Sequence, residues 1–245
     1  MDDLIGFPAE MRRIETEISD IGGAEPFPAV EPNRLTRSLY LIYQRASLAG
    51  DLVELSVVNQ AIDRAIPLLR HPGDLYLLKA NVAFKLHKLP EVRSAIQVLP
   101  SVYSSLEGRL IRADLDFQDG RLAKAKEQYV AVIETSRSWA ALARLAYFHS
   151  KMGDPAADQL YAEAEEELTA KEMRSFAWLE VQRGFLAFAQ GEYSRARSHY
   201  DCAEAAYPGY WLVGEHVAEC LGAEGNYREA ATILERICHA STALS

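Results

Sequence analysis

No stretch of the 245 residues approaches 18 uninterrupted apolar positions, so the sequence offers no helix built to cross a membrane. Glycine and proline are sparse, 14 and 10, which leaves too few tight turns for an all-β fold and makes helix the expectation. Only three cysteines occur, Cys202, Cys220 and Cys238. They cannot all pair within one chain and do not form a disulfide framework, which fits a reducing compartment. Positive charge is also short. The formal net charge of -9 repels phosphates over much of the surface, so neither nucleic acid nor an anionic membrane surface is expected as a partner. The N-terminal run MDDLIGFPAEMRRIETE is acidic and broken by Pro8, unlike a signal peptide, and the expected location is the cytoplasm. Arginine outnumbers lysine, which points to a GC-rich bacterial genome. Glycine-rich dinucleotide and phosphate loops are missing, as is the Gly-x-Ser-x-Gly elbow of acyl-transfer enzymes.

What the chain does have is 49% apolar content, enough to bury a sizeable core, and an internal period. GEYSRARSHYDCAEAAYP, from Gly191, aligns with GNYREAATILERICHAS, from Gly225. The alignment pairs Gly191 with Gly225, Tyr193 with Tyr227, Ala196 with Ala230 and Tyr200 with Leu234, every pair 34 residues apart. A third copy begins at Gly120 and sets Leu122, Ala125, Tyr129 and Val132 at the same places. A fourth, from Gly153, fits with a turn one residue short and gives Ala157, Tyr161 and Ala164.

Each copy reads as the second helix of a pair. Seven residues before the turn glycines stand Ala113, Ala146, Gly184 and Ala218 on the first helices. A small residue there lets two helices approach closely, and the alanine of the second helix does the same from the other side. The glycine suits the left-handed conformation that ends a first helix. The large Tyr or Leu four residues beyond the alanine is expected to fill the space between neighbouring pairs. Upstream, the segment from Leu77 reads as another pair, with Ala80 as the small residue and His87 where glycine is expected. The segment from Ser38 reads as one more, with Gly50 at its turn.

These residues give the chain its resemblance to the tetratricopeptide repeat family, over about residues 36 to 240. The expected fold is all-α: a right-handed α-α superhelix of about six helical pairs behind an N-terminal helix. Residues 1–35 form that helix and the GGAEPFPAVEPN linker, and residues 36–245 form the repeat domain. Such pairs cannot bury their apolar faces alone, so stacking supplies the core.

The resemblance implies that first helices line a concave groove which binds extended peptides or helices of partner proteins. Carried over copy by copy, the groove positions are Tyr40 and Gln44; Leu77, Asn81 and Phe84; Leu110, Asp114 and Phe117; Arg144, Tyr147 and Lys151; Trp178, Gln182, Phe185 and Phe188; and then Glu215 and Glu219. The set is rich in aromatics, which give large contact area at low entropic cost. Two readings compete for any one ring: an anchor for an apolar or amphipathic partner segment, or core packed against the next helix. The co-chaperone subset of the family grips a C-terminal carboxylate with Lys, Asn and Arg side chains. Here only Asn81, with Lys85 nearby, matches, so binding of chaperone tails is not expected.

Metal and catalytic chemistry find little footing. His199 with Cys202, His216 with Cys220, and Cys238 with His239 have helix-face spacing for a metal. The register instead assigns Cys202 and Cys220 to packing faces, as small hydrophobes. Glu163, Glu165, Glu166 and Glu167 read as a solvated outer face. No catalytic residue, metal or cofactor is expected. Three functions stay open: a non-enzymatic module capturing a partner protein or peptide, a self-assembling scaffold, and a metal enzyme in the last two pairs. The scaffold reading rests on HASTALS, from His239, being too short to cover the apolar face of the last helix, which predicts a homodimer through the C-terminal helices.

Overall fold

The computed structural model describes residues 6–21 and 32–242, and among them every regular element is helical. The expected linker falls largely on residues 22–31 and lies outside the described residues, as does the end of the HASTALS segment. After α1 (Phe7–Ile21) come six consecutive pairs: α2 (Pro32–Ala49) with α3 (Leu52–Ala65), and α4 (Gly73–Lys85) with α5 (Leu89–Gln97). A short helix α6 (Pro100–Ser104) precedes α7 (Leu106–Gln118), which pairs with α8 (Leu122–Thr135). The last three pairs are α9 (Trp139–Lys151) with α10 (Ala156–Glu166), α11 (Met173–Ala189) with α12 (Tyr193–Ala206), and α13 (Trp211–Ala223) with α14 (Tyr227–Thr242).

The turn chemistry is the one the repeat demands. Gly120 ends α7 at φ +76°, a left-handed conformation open to glycine at no steric cost. His87, which takes the glycine position after α4, is forced into the same region at φ +54°. Sequence spacing gave no hint of α6. It breaks the period because Pro100 presets the first helical φ and Ser105 caps α7, its Oγ accepting from the Gly108 amide at 3.0 Å. Gly108 is required there, since a Cβ would lie 2.0 Å from the Val102 carbonyl oxygen.

The chain divides by contact into two units, Met11–Ser136 and Met1–Glu10 with Arg137–Ser245. Within the first unit, Met11, Ile14 and Ile18 bury the apolar face of α1, and Leu39, Ile42, Leu55 and Ile62 fill the core beside it. Ala80, Val92, Ile96, Ile111 and Leu115 form a further cluster in that unit. Within the second unit, Phe7 donates its amide to the Pro208 carbonyl at 3.0 Å and stacks on Tyr210. Glu10 accepts from the Tyr207 hydroxyl at 2.6 Å and pairs with Arg174 at 3.0 Å.

The repeat positions are buried as their roles require. Ala80, Ala113, Ala146, Gly184 and Ala218 are inaccessible or nearly so on the first helices, as are Ala125, Ala157 and Ala196 on the second. Tyr129, Tyr161 and Tyr200 lose essentially all their surface, each burial contributing roughly 2–3 kcal/mol. Leu234 departs from its equivalents and stays 44% exposed.

Candidate partner-binding groove

First helices carry all the predicted groove residues, and the two units place them differently. In the unit Met11–Ser136, Tyr40 and Gln44 are half-buried on α2. Burial, reinforced by Asp74, raises the Tyr40 phenol above its ordinary range, so it stays a hydrogen-bond donor at neutral pH. On α4, Leu77 and Phe84 lean on the Ala80 cluster, and Asn81 donates to the Leu77 carbonyl of its own helix at 3.1 Å. On α7, Phe117 is half-buried, and Asp114 accepts from the Tyr129 hydroxyl at 2.7 Å. Leu110 requires correction: it is 1% exposed, because its side chain falls on the packing stripe of α7, and it offers a partner no surface.

In the unit that begins again at Arg137, the predicted residues converge. Tyr147 and Lys151 lie one turn apart on α9, and the Lys151 ammonium sits 5.0 Å from the Tyr147 ring centre. The same ammonium lies 5.4 Å from the Phe185 ring, brought from α11. Phe185 in turn faces His216 of α13 at 6.0 Å between ring centres, and Glu219 holds the His216 Nδ1 at 2.7 Å. A cation thus lies over two aromatic faces, beside an imidazole and a carboxylate, along three successive first helices. Tyr147 and Phe185 keep 37% and 38% of their surface, which separates them from core rings. Trp178 and Gln182 are half-buried on the same helix as Phe185, Arg144 donates to the Ala140 carbonyl, and Glu215 is half-buried on α13. Phe188 packs against Tyr193 at 5.5 Å, so it partly fulfils the competing role of core.

Two expectations fail elsewhere in this unit. Cys202 is exposed while Cys220 is fully buried, so only Cys220 behaves as a small hydrophobe. Glu165 is no solvated surface acid. It meets Arg183 at 3.0 Å, as does Asp158 at 2.9 Å, while Glu180 lies 3.3 Å from the same guanidinium and 3.1 Å from His199 Nδ1. Burial and the neighbouring Glu180 push the Glu165 carboxyl up to about 7. Burial alone would raise Glu180 too, but hydrogen bonds with His199 and Glu165 hold it below the usual range. Glu163 and Glu167 keep to the expected outer face, where they clasp Arg137 in exposed contacts at 2.9 and 2.7 Å. The histidines proposed beside cysteines, His199 and His216, therefore face carboxylates, and among the described residues no group of three or more His, Cys, Asp and Glu is placed to hold a metal.

Sequence reasoning did not single out Arg13, Arg37, Arg70 and His71, which line a cavity of about 680 Å³ with Tyr40 and Gln44. No motif marks them. Their one sequence signal is that Arg70 and His71 immediately precede the Pro72–Gly73 break.

No protein-family profile and no curated protein matches the chain. Solved structures do. The chain is similar to a tetratricopeptide repeat protein from Parabacteroides merdae, with 13% identity, 97% of this chain and 90% of that chain covered, and a TM-score of 0.63. It is similar to a chain of the APC/C hetero-tetramer Cut9–Hcn1 at 14% identity and a TM-score of 0.67, with 96% of this chain but only 42% of that one covered. BtubC from P. vanneervenii matches at 15% identity and a TM-score of 0.52, with 94% and 92% covered. The chain has the tetratricopeptide-repeat fold, and its 34-residue sequence period coincides with that fold's helix pairs.

Proposed function

We propose that the protein is a non-enzymatic binding module that captures an amphipathic segment of a partner protein on the face of its first helices. The observation that carries this reading is the Tyr147–Lys151–Phe185–His216 cluster. Partly exposed rings offer apolar area with few rotors to freeze, while Lys151 and Glu219 at the margin pair with polar groups on the segment's other side. Phe117 supplies a further ring in the other unit. The tetratricopeptide-repeat fold supports the reading, since it is the architecture in which first helices present side chains for recognition. A cytoplasmic location belongs to the same proposal and agrees with the small number of cysteines in the sequence. Affinity capture from native extract tests it. The intact protein should retain a partner that the Phe117→Ala/Phe185→Ala variant loses at unchanged helicity; equal retention would remove the aromatic face from the account.

One observation favours a second reading, self-association through α14. Leu234 occupies the position of Tyr129, Tyr161 and Tyr200 yet is 44% exposed, and Tyr227 on the same helix is 72% exposed. Tyr227, Ala231, Leu234 and Cys238 recur at helical spacing and are all exposed, an outward stripe that a second copy would cover. Light scattering at tens of micromolar decides between a dimer mass, abolished by Leu234→Glu, and the mass of a single chain.

A further inference from the structure

Acidic and basic residues balance in the unit Met11–Ser136, so the whole formal charge of -9 belongs to the unit that holds the Tyr147–Lys151–Phe185–His216 cluster. A field of that sign gathers cations and speeds their encounter with the surface. Inside the cluster the charges are sorted by helix. Lys151 comes from α9, 5.4 Å from the Phe185 ring centre, while two carboxylates, Glu215 and Glu219, come from α13 and stand one turn apart. His216, between them in sequence, faces the same ring at 6.0 Å, so Phe185 has a cation toward α9 and acids toward α13. One oxygen of Glu219 lies 2.7 Å from His216 Nδ1, and 48% of the Glu219 side chain stays exposed. Glu215 is half-buried, and among the described residues no hydrogen bond or ion pair holds it. Part of its hydration is thus lost with no partner to compensate, a deficit that a docked ammonium or guanidinium would fill.

We infer that the captured segment is basic as well as amphipathic: an apolar side chain rests on Phe185, and a lysine or arginine beside it, on the α13 side, meets Glu215 and Glu219. The inference rests on the proposed capture along the first helices and adds the charge of what is captured. Lys151 sets its polarity, since it repels a cation at the α9 margin and leaves the α13 margin as the favourable seat. The arrangement is the reverse of a terminal-carboxylate grip, in which cations of the repeat hold an acid of the ligand. Every group it uses lies in the unit formed by Met1–Glu10 with Arg137–Ser245, so one short segment suffices.

The experiment titrates the full chain with a fluorescein-labelled peptide whose leucine and phenylalanine core is followed by lysines, and with its glutamine counterpart, read by fluorescence anisotropy. The lysine peptide should bind about tenfold more tightly. Glu215→Gln/Glu219→Gln should erase that preference, and Glu219→Gln alone should cut it about threefold. Glu166→Gln/Glu229→Gln removes the same charge from exposed positions on second helices and should leave the preference intact. Far-UV circular dichroism checks each variant; if the first double variant does not fold, the exposed Glu219 carries the test through its single variant. Equal binding of the two peptides overturns the inference, as does a preference that survives in Glu215→Gln/Glu219→Gln. A preference that falls equally in Glu166→Gln/Glu229→Gln also overturns it, by assigning the effect to net charge. Phe185→Ala separates the two claims: equal affinity for both peptides that falls in Phe185→Ala ends the basic preference but leaves the aromatic face standing. Binding by neither peptide ends the inference, while a lysine preference with no dependence on Phe185 ends the reading beneath it.

Discussion

A Cβ placed on Gly184 would lie 2.3 Å from Cε1 of Tyr200, so the ring of the second helix occupies the space that any side chain on the first would need. The contact is where the repeat becomes structure. Gly184→Ala should cost roughly 1–3 kcal/mol in urea unfolding, because Tyr200 is 1% exposed and has no free volume to move into. Gly222, also helical but with nothing within 4 Å of its notional Cβ, provides the contrast: Gly222→Ala should be neutral or stabilise by about 0.5–1 kcal/mol.

His87 holds a left-handed φ of +54° where the other pair turns have glycine, at Gly50, Gly120, Gly153, Gly191 and Gly225. A non-glycine residue costs about 1 kcal/mol or more in that region. His87→Gly should therefore raise the melting temperature by a few degrees, and an unchanged or lowered melting point would show that the imidazole contributes something the backbone argument omits.

These two positions also show what the sequence could and could not tell. Small residues at a first-helix site, alanines at a second-helix site and a recurring tyrosine report burial directly, because a periodic fold buries the same position in every copy. That made the pairs and their turns legible, His87 included. Glu165 was misread because its partner, Arg183, comes from another helix and an acidic run on one helix carries no sign of it. Leu110 was misplaced because a family position was carried over as a groove position without regard to the residue's apolar character, and on α7 that side chain falls on the packing stripe. The arginine-lined cavity was invisible, since its walls come from α1, α2, the turn before α4 and the start of α4, and only the first of these cations lies in the segment read as the N-terminal helix.

Glu165 gives the fold a pH dependence. Its carboxyl is raised from the usual range to about 7, so the protonated form is favoured in the folded state. Its contribution is fully present below the unfolded carboxylate pKa and is lost as pH climbs through about 7, roughly 1–3 kcal/mol across that window. Glu180 is shifted the opposite way, and its contribution is lost only on acidification below the usual carboxylate range. Between pH 5 and 8, Glu165→Gln should thus flatten the decline in stability; chemical denaturation at several pH values showing equal slopes for both proteins would contradict this.

Tyr207 and Glu10 meet across 197 residues of sequence, through a 2.6 Å hydrogen bond from phenol to carboxylate. Burial and the Glu10 carboxylate raise the Tyr207 hydroxyl, which keeps it a donor at any ordinary pH. Removing the donor breaks a part-buried, charge-assisted hydrogen bond, and Tyr207→Phe should cost about 1–3 kcal/mol. Because Glu10 lies in the first turns of α1, hydrogen exchange at its neighbouring amides should quicken in the variant; unaltered exchange would show that the contact does not hold that turn.

The most direct test of partner capture is the equilibrium affinity of the partner segment, once isolated, for intact protein, for Phe185→Ala, and for Val130→Ala as a second-helix surface control. The account predicts a loss of about 30-fold or more for Phe185→Ala, the mark of a binding anchor, and no change for Val130→Ala. Equal affinity for all three would place the partner elsewhere and contradict it.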